Sequence, residues 1–291
     1  MRKESRLSLY KKNKFGTGKP RIVSNGMRPK KSLGQHFLRS KRALEKIVDA
    51  AHIQEGETVF EIGSGEGVLT NLLLQKARVV AVETDARLCE KLRDIYAKEI
   101  SEGKFILIEK DVQEIENISE ILPEGYVLVA NIPYYLSGYI LRRFIGGEYP
   151  PKRVVLLLQK EVVKRIIARN GKESILSISI TAYGVPKMAG VVPKKAFAPA
   201  PKVDSAILSI EHISRDFFNT VSEKVFFEVV KAGFSQKRKM LGNNLKRYGK
   251  EECETACFAC NIKAEERAED IALSDWKCLA EHLGVSGTIK S

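Results

Sequence analysis

Short apolar segments alternate with helical patterns between residues 58 and 183, and this alternation constrains the fold more than any other feature of the sequence. Each apolar segment is nearly continuous in Val, Ile and Leu. Strands of this kind are typical of a parallel sheet that helices cover on both faces. We therefore predict a doubly wound α/β domain with six strands at 58–63, 78–83, 105–111, 126–131, 154–158 and 175–183.

The strand signals end near residue 213. Residues 203–213 alternate between the two faces of a strand and follow a Pro-rich loop, which predicts an edge strand. Helical patterns follow at 221–234, 237–247, 252–260 and 274–283. We predict three parts: a basic tail at 1–30, disordered because it is rich in Gly, Pro and Lys; an α/β domain at 31–213; and a small all-helical domain at 214–291.

Positive charge is concentrated in two segments. The chain carries 49 Lys and Arg against 36 Asp and Glu, a net charge of +13. Residues 1–31 hold eleven basic residues and one acid, and residues 231–250 hold seven basic residues and no acid. Local clusters of this kind favour a polyanion bound at defined places, and the alternative is a solvated tail with a solvated helix face.

The apolar runs are all much shorter than a membrane span, and the N-terminus lacks the apolar core of a secretory signal. We therefore expect no membrane partner, a cytoplasmic location and five free thiols. Cys253, Cys257 and Cys260 have the spacing of one helix face, so we interpret them as core packing and expect no metal. Metal binding with help from Cys278 and His282 is the alternative.

A glycine-rich turn, Glu61-Ile-Gly63-Ser-Gly65-Glu-Gly67, follows the first predicted strand. Glycines let the backbone approach a ligand, and the next helix offers free N–H groups. The pattern resembles motif I of the S-adenosylmethionine (SAM) methyltransferases. Glu83, Asp111 and Asn131 also end predicted strands, at the edge where open α/β sheets bind ligands. Turn-forming residues without a ligand are the alternative.

The segment Asn131-Ile-Pro-Tyr134 has the form [N/D]-x-P-Y found in methyltransferases that modify exocyclic amino nitrogens. The lone pair of such a nitrogen is delocalised into the ring, so the enzyme must accept hydrogen bonds from the amine. The Asn131 side chain and the Ile132 carbonyl can accept them, while Pro133 stiffens the loop. Tyr134 would stack on the flipped base.

Five motifs occur in order along the chain, at 31–38, 61–67, 131–134, 197–205 and 234–245. Together, from residue 27 to residue 283, they resemble the KsgA family of ribosomal RNA adenine dimethyltransferases. The resemblance implies a Rossmann-like class I SAM-dependent methyltransferase domain followed by a helical domain. It also implies a monomer that dimethylates N6 of two adjacent adenosines near the 3′ end of 16S rRNA, within the immature small subunit.

The resemblance assigns residues to three roles. The cofactor-binding residues would be His36, Leu38, Glu61, Gly63, Gly65, Glu83, Asp111, Val112 and Asn131. The catalytic residues would be Asn131, Ile132, Pro133, Tyr134 and Phe197. The RNA-binding residues would be Lys30, Lys31, Lys237, Arg238, Lys239, Lys246 and Arg247. His36 departs from the Asn usual in the family, as Lys237 and Met240 depart from the common Arg and Thr.

Two alternatives remain within the same fold. The Erm-type 23S rRNA methyltransferases share the Asn-Ile-Pro-Tyr loop, although the motif at 234–245 favours the 16S enzymes. Mitochondrial relatives act as transcription factors without catalysis, but the intact glycine turn, Glu83 and Asn131–Tyr134 favour an enzyme.

Overall fold

The computed structural model describes residues 35–168, 170–263 and 265–285. Its central sheet has seven strands in the order β4-β3-β2-β5-β6-β9-β7. Five parallel strands form most of the sheet, and β9 and β7 add two antiparallel pairings at one end. The seven strands are β2 (Thr58–Ile62), β3 (Arg78–Glu83), β4 (Phe105–Glu109), β5 (Val127–Ala130), β6 (Arg153–Gln159), β7 (Val185–Val192) and β9 (Ser205–Glu211). The first five predicted strands are therefore confirmed.

The sixth predicted strand is wrong. Residues Ile175–Thr181 form helix α7, and the chain enters the sheet only afterwards, as β7. Ser174 and Ser177 form a reciprocal cap, in which each hydroxyl accepts a hydrogen bond from the other residue's backbone N–H. The Thr181 hydroxyl donates to the Ser177 carbonyl within the helix. These side-chain hydrogen bonds stabilise a helix whose apolar residues alternate as they would in a strand.

The strand near residue 205 is also placed differently from the prediction. It is β9, and it lies between β6 and β7 instead of at the edge. A two-stranded sheet that the sequence did not predict joins β1 (Phe37–Leu38) to β8 (Phe197–Ala198).

Eleven α-helices surround the sheet in the part of the chain that the structure describes. The first seven are α1 (Lys41–Ala50), α2 (Val68–Leu73), α3 (Ala86–Ile95), α4 (Ala97–Ser101), α5 (Ser137–Ile145), α6 (Lys160–Ile166) and α7. The C-terminal four are α8 (Glu223–Gly233), α9 (Leu241–Leu245), α10 (Lys250–Ala259) and α11 (Leu273–Val285). None of the described helices is long and apolar enough to cross a bilayer.

Successive residues of the strands enter different cores on the two faces of the sheet. In β2, Phe60 belongs to one core cluster and Val59 to the other. Such two-sided burial explains why the strands read as continuous apolar runs. The cluster that contains Phe60 extends to Phe226 of α8 and to Trp276 of α11, so the C-terminal helices share the core of one sheet face.

The cysteines differ from the prediction of five free thiols. Cys260 and Cys278 form a disulfide, while Cys89, Cys253 and Cys257 are free and buried. Cys253, Cys257 and Cys260 all belong to one buried core cluster, as expected. Cys260 follows the last residue of α10, and it differs from the other two because it is bonded to Cys278 of α11.

Candidate cofactor and catalytic site

One cavity lies at the carboxyl ends of the parallel strands. It brings together segments from β1 to β8 that are far apart in the sequence. All of the predicted cofactor and catalytic residues except Glu61 line it: His36, Leu38, Gly63, Gly65, Glu83, Asp111, Val112, Asn131, Ile132, Pro133, Tyr134 and Phe197.

The glycine turn forms the floor of the cavity. Gly63 and Gly67 have positive φ angles of 77° and 79°, which residues other than glycine rarely adopt. A Cβ on Gly67 would lie only 2.7 Å from Leu92 Cδ2, so the turn also needs glycine for space. The Tyr96 hydroxyl donates to the Gly67 carbonyl at 2.7 Å. Tyr96 lies between α3 and α4, so this hydrogen bond ties the junction of the two helices to the glycine turn.

Glu83 ends β3 with a buried carboxylate that holds the turn and also lines the cavity. Its Oε2 accepts a hydrogen bond from the Gly65 N–H at 2.9 Å. Its Oε1 accepts from the N–H groups of Thr84 and Asp85, at 2.9 and 3.0 Å. A carboxylate has about four acceptor sites, and these bonds use both sites of Oε1 and one of Oε2, so Oε2 can still accept a hydrogen bond from a ligand hydroxyl.

Glu61 lies behind the cavity wall, unlike its predicted position. It is 1% exposed, and its Oε2 accepts from the Thr70 and Ser64 hydroxyls at 2.6 and 3.3 Å. Burial raises the pKa of Glu61 to about 7, and the nearby Glu83 adds to the shift, while the two hydroxyls oppose it. The carboxyl therefore holds the first turn of α2 against the end of β2.

Asp111 follows β4 and caps a short 3-10 turn. Its Oδ1 accepts from the Gln113 N–H at 2.9 Å, and Glu114 bonds back to the Asp111 N–H at 3.3 Å. This capping box fixes Asp111 at the cavity edge and buries the next residue, Val112, beneath it.

The Asn131–Tyr134 loop leaves β5 and enters α5. Ile132 is buried, which anchors the loop, while Asn131 and Tyr134 are partly exposed at the cavity. The Tyr134 hydroxyl lies 2.9 Å from Ser205 Oγ, at the start of β9. The Ser137 hydroxyl donates to the Tyr134 carbonyl at 2.7 Å. Both ends of the Tyr134 residue are thus held in place.

The two-stranded sheet of β1 and β8, called the strap below, joins two sides of the cavity. In the strap, Phe37 pairs with Ala198, and Leu38 pairs with Phe197. His36 Nδ1 lies 2.8 Å from the Pro199 carbonyl oxygen, to which the ring N–H can donate. This pairing places His36 and Phe197 in the same wall although 161 positions separate them.

Comparison with known proteins identifies the family. The model of the ribosomal RNA adenine dimethylase family matches residues 26–283. The chain is 39% identical over 259 residues to ribosomal RNA small subunit methyltransferase A of Dehalococcoides mccartyi, covering 87% of this chain and 88% of that protein. It is 36% identical to the Streptococcus sanguinis protein of the same name, with 91% and 96% covered. The chain belongs to the ribosomal RNA adenine dimethylase family.

Two solved structures have folds similar to that of this chain. A dimethyladenosine transferase from Plasmodium falciparum is 26% identical, with a TM-score of 0.69 over 84% of this chain and 96% of that one. The 23S rRNA methyltransferase ErmE is 22% identical, with a TM-score of 0.70 over 85% and 99%. The second likeness shows a shared fold.

The predicted RNA-binding residues of this dimethylase lie in a separate exposed group. Lys237, Arg238 and Lys239 occupy a turn before α9, and Lys246 and Arg247 follow that helix, so the helix predicted at 237–247 is shorter than expected. None of the five makes an ion pair with the residues described in the structure. Lys30 and Lys31, like the tail at 1–30, lie outside the described residues.

Asn244 explains the shape of that basic turn in the dimethylase. Its buried amide donates to the carbonyls of Gly233 and Gln236, at 2.5 and 3.1 Å. These bonds tie the turn to the end of α8. The motif at 234–245 therefore combines exposed cations with a buried residue that holds them.

Sequence reasoning missed three residues beside the dimethylase cavity. Ser205 holds Tyr134, Arg39 Nη1 lies 2.5 Å from the buried Glu66 carboxylate, and Phe37 lines the cavity. Ser205 could have been found, because it ends the motif at 197–205. Nothing in the sequence indicated the Arg39–Glu66 pair, which depends on how the strap folds back.

Proposed function

We propose that this chain transfers methyl groups from SAM to N6 of two adjacent adenosines near the 3′ end of 16S rRNA, dimethylating both. The observation that carries this proposal is the meeting of the glycine turn and the Asn131–Tyr134 loop in one cavity. Curated relatives that are 36–39% identical are named small subunit methyltransferases, which favours the small-subunit substrate over 23S rRNA.

The residues of the cavity fit SAM. Gly65 lines the floor, and its positive φ of 56° favours glycine there. In our proposal Gly63 and Gly65 accommodate the methionine part, with His36 and Leu38 along its side. Glu83 would bind the ribose hydroxyls, and Asp111 and Val112 would bind the adenine ring. SAM itself supplies an electrophilic methyl group on a sulfonium.

The chemical step then depends on orientation. The Asn131 side-chain carbonyl and the Ile132 backbone carbonyl would accept hydrogen bonds from the target amine, which turns its lone pair toward the methyl group. Tyr134 and Phe197 would hold the flipped base between them. The methylated amine would carry a positive charge and be strongly acidic, so it would release its proton to solvent and the mechanism needs no strong general base.

The RNA would bind along the cationic groups outside the cavity. A groove between α6 and the C-terminal helices is lined by Arg142, Lys160, Arg165, Lys231 and Lys237. Together with Arg238, Lys239, Lys246 and Arg247, these residues would contact phosphates, which position the RNA without reading its sequence.

We also propose that the protein acts in the cytoplasm, as a monomer, on immature small subunits.

Methyl transfer from labelled SAM tests this function. The substrates are small subunits and large-subunit rRNA purified from cells that lack the endogenous enzyme, followed by mapping of the modified nucleotides. We expect dimethyladenosine at two adjacent positions near the 3′ end of 16S rRNA. Modification of 23S rRNA alone, or SAM binding without transfer to either substrate, would contradict the proposal.

A further inference from the structure

Three soft donor groups meet at the junction of α10 and α11, away from the cavity. Cys260 follows α10, and Cys278 and His282 lie on α11. Their sulfur and imidazole nitrogen atoms all lie within 4.8 Å of one another. We propose that in its dithiol form this cluster binds one Zn²⁺ through Cys260, Cys278 and His282.

The distances fit a tetrahedral ion. His282 Nδ1 is 3.8 Å from the sulfur of Cys260 and also 3.8 Å from the sulfur of Cys278. Zinc bonds of about 2.3 Å to sulfur and about 2.0 Å to nitrogen place the two kinds of donor about 3.5 Å apart in a tetrahedron. The imidazole therefore needs only a small shift, and the main change is the separation of the two sulfurs once their bond is reduced.

A disulfide needs only the two cysteines, so the imidazole beside them is the feature that points to a metal site. Cys278 and His282 are one helical turn apart, so they present their side chains on the same face of α11. His282 Nδ1 also lies 3.0 Å from the Cys278 carbonyl oxygen. In the tautomer with its proton on Nε2, the Nδ1 lone pair becomes available to a metal, which would replace that hydrogen bond.

Burial gives the cluster one closed side and one open side. Cys260 is 9% exposed, whereas His282 lies exposed at the surface. An ion can enter from the side of His282, and a water molecule can occupy the fourth position. Two thiolates and one imidazole form a donor set that suits zinc better than the hard cations Mg²⁺ or Ca²⁺.

Zinc binding would join two helices of the C-terminal region. Two Zn–S bonds and one Zn–N bond form, and the two thiol protons pass to solvent. The disulfide must first be reduced, and a phosphine can do this: it becomes the phosphine oxide, with water supplying the oxygen and the two thiol protons.

The test uses the full chain, reduced with a phosphine under anaerobic conditions and titrated with Zn²⁺ against a chromophoric chelator. We expect one tightly bound zinc per chain. His282→Ala should weaken binding by more than about 100-fold, because loss of even an outer-shell partner costs about 10–100-fold in affinity. Cys278→Ser should have a similar effect.

Cys253→Ser is the matched control. Cys253 is a free buried thiol on α10, outside the cluster, and its Sγ donates to the Leu245 carbonyl, which a serine hydroxyl can also do. This variant should bind zinc like the parent chain. His282→Ala retains both cysteines. Because His282 is exposed, this variant should fold like the parent chain, which circular dichroism can check.

Cobalt substitution gives a second measurement. Reduced parent protein with Co²⁺ should show the thiolate charge-transfer band and the intense visible bands of a tetrahedral site, and His282→Ala should alter them. Two results would overturn the proposal. One is reduced parent protein that binds no stoichiometric zinc and only re-forms its disulfide; the other is unchanged zinc affinity in His282→Ala.

Discussion

The Tyr134 hydroxyl lies 2.9 Å from the hydroxyl of Ser205, which is itself fully buried. This hydrogen bond connects the loop after β5 to the start of β9, 71 positions later in the chain. It fixes the rotation of the Tyr134 ring at the cavity. In the proposed mechanism Ser205 would therefore be a positioning residue, which acts on the base through Tyr134.

Removal of this hydrogen bond should slow methyl transfer without preventing it. Ser205→Ala and Tyr134→Phe should each lower kcat about fivefold, because a neutral hydrogen bond contributes about 1 kcal/mol. The double variant should resemble either single variant, since both remove the same interaction. SAM affinity, measured by calorimetry, should change little.

Ser209→Ala provides the control for this experiment. Ser209 lies on the same strand and is also buried, but its hydroxyl has no hydrogen-bond partner among the residues that the structure describes. Its replacement should leave kcat unchanged. Equal losses in Ser205→Ala and Ser209→Ala would mean that the strand, not the contact with Tyr134, is responsible.

Asn131→Ala should nearly abolish transfer while leaving SAM binding mostly intact. Loss of an oriented polar group that stabilises a transition state typically costs about 100- to 1000-fold in kcat. Single-turnover transfer and SAM affinity should be measured on the same preparation. Asn131→Asp keeps an acceptor oxygen and matches the [N/D]-x-P-Y form, so it should retain part of the activity. Undiminished turnover in Asn131→Ala would refute the assigned role.

The buried carboxyl of Glu61 should make stability depend on pH. Burial raises its pKa to about 7 in the folded protein, from an ordinary value of 4.5. Between these values the folded state binds more protons, so the free energy of unfolding falls as pH rises, and the stabilisation is lost above about pH 7.

Glu61→Gln isolates this effect. The amide keeps an oxygen that can accept from Thr70 and Ser64, and it does not titrate. The unfolding free energy of the parent chain, minus that of the variant, should fall by about 3 kcal/mol from pH 4.5 to pH 8, since one pKa unit corresponds to about 1.4 kcal/mol. Denaturant titrations across this range provide the measurement. A constant difference would show that Glu61 titrates normally.

The basic turn should contribute salt-dependent RNA affinity. With Lys237, Arg238 and Lys239 all changed to Gln, the slope of log affinity against log salt should decrease by about 2, because each phosphate contact contributes about 0.7 for a single strand. Filter binding with a 16S rRNA fragment at several salt concentrations measures the slope.

A matched triple variant tests whether the position of the charge matters. Lys76, Lys98 and Lys104 are exposed but lie around β3 and β4, at the other end of the sheet order. Their replacement by Gln removes the same formal charge. An equal loss of slope in both triple variants would indicate diffuse attraction and would contradict binding at a defined surface.

Local patterns predicted most of the sheet. The first five strands were recognisable because residues on both of their faces pack in a core, so most of their positions are apolar. The segment Ile175–Thr181 misled the prediction because its alternating isoleucines fit a strand, whereas the hydroxyls of Ser174 and Ser177 stabilise a helix. The spacing of apolar residues does not reveal side-chain hydrogen bonds of this kind.

The sequence predicted which residues line the candidate site better than it predicted how their side chains are arranged. Glycine spacing and strand ends located Gly63, Glu83 and Asn131 at one edge of the sheet. The position of Glu61 behind the cavity wall was not predictable, because a strand residue can face either side of the sheet. Its partner Thr70 comes from the following helix.

Local spacing along the chain was enough to identify the family, the alternation of parallel strands with helices, and the residue types at the cavity. The pairing of β1 with β8, the contact of Tyr134 with Ser205, and the meeting of Cys260 with Cys278 and His282 became visible only in the folded protein. Each of these joins different elements of the fold, and the first two join residues that are at least 71 positions apart. Such contacts form only when packing of the whole core brings their elements together, so no local pattern encodes them.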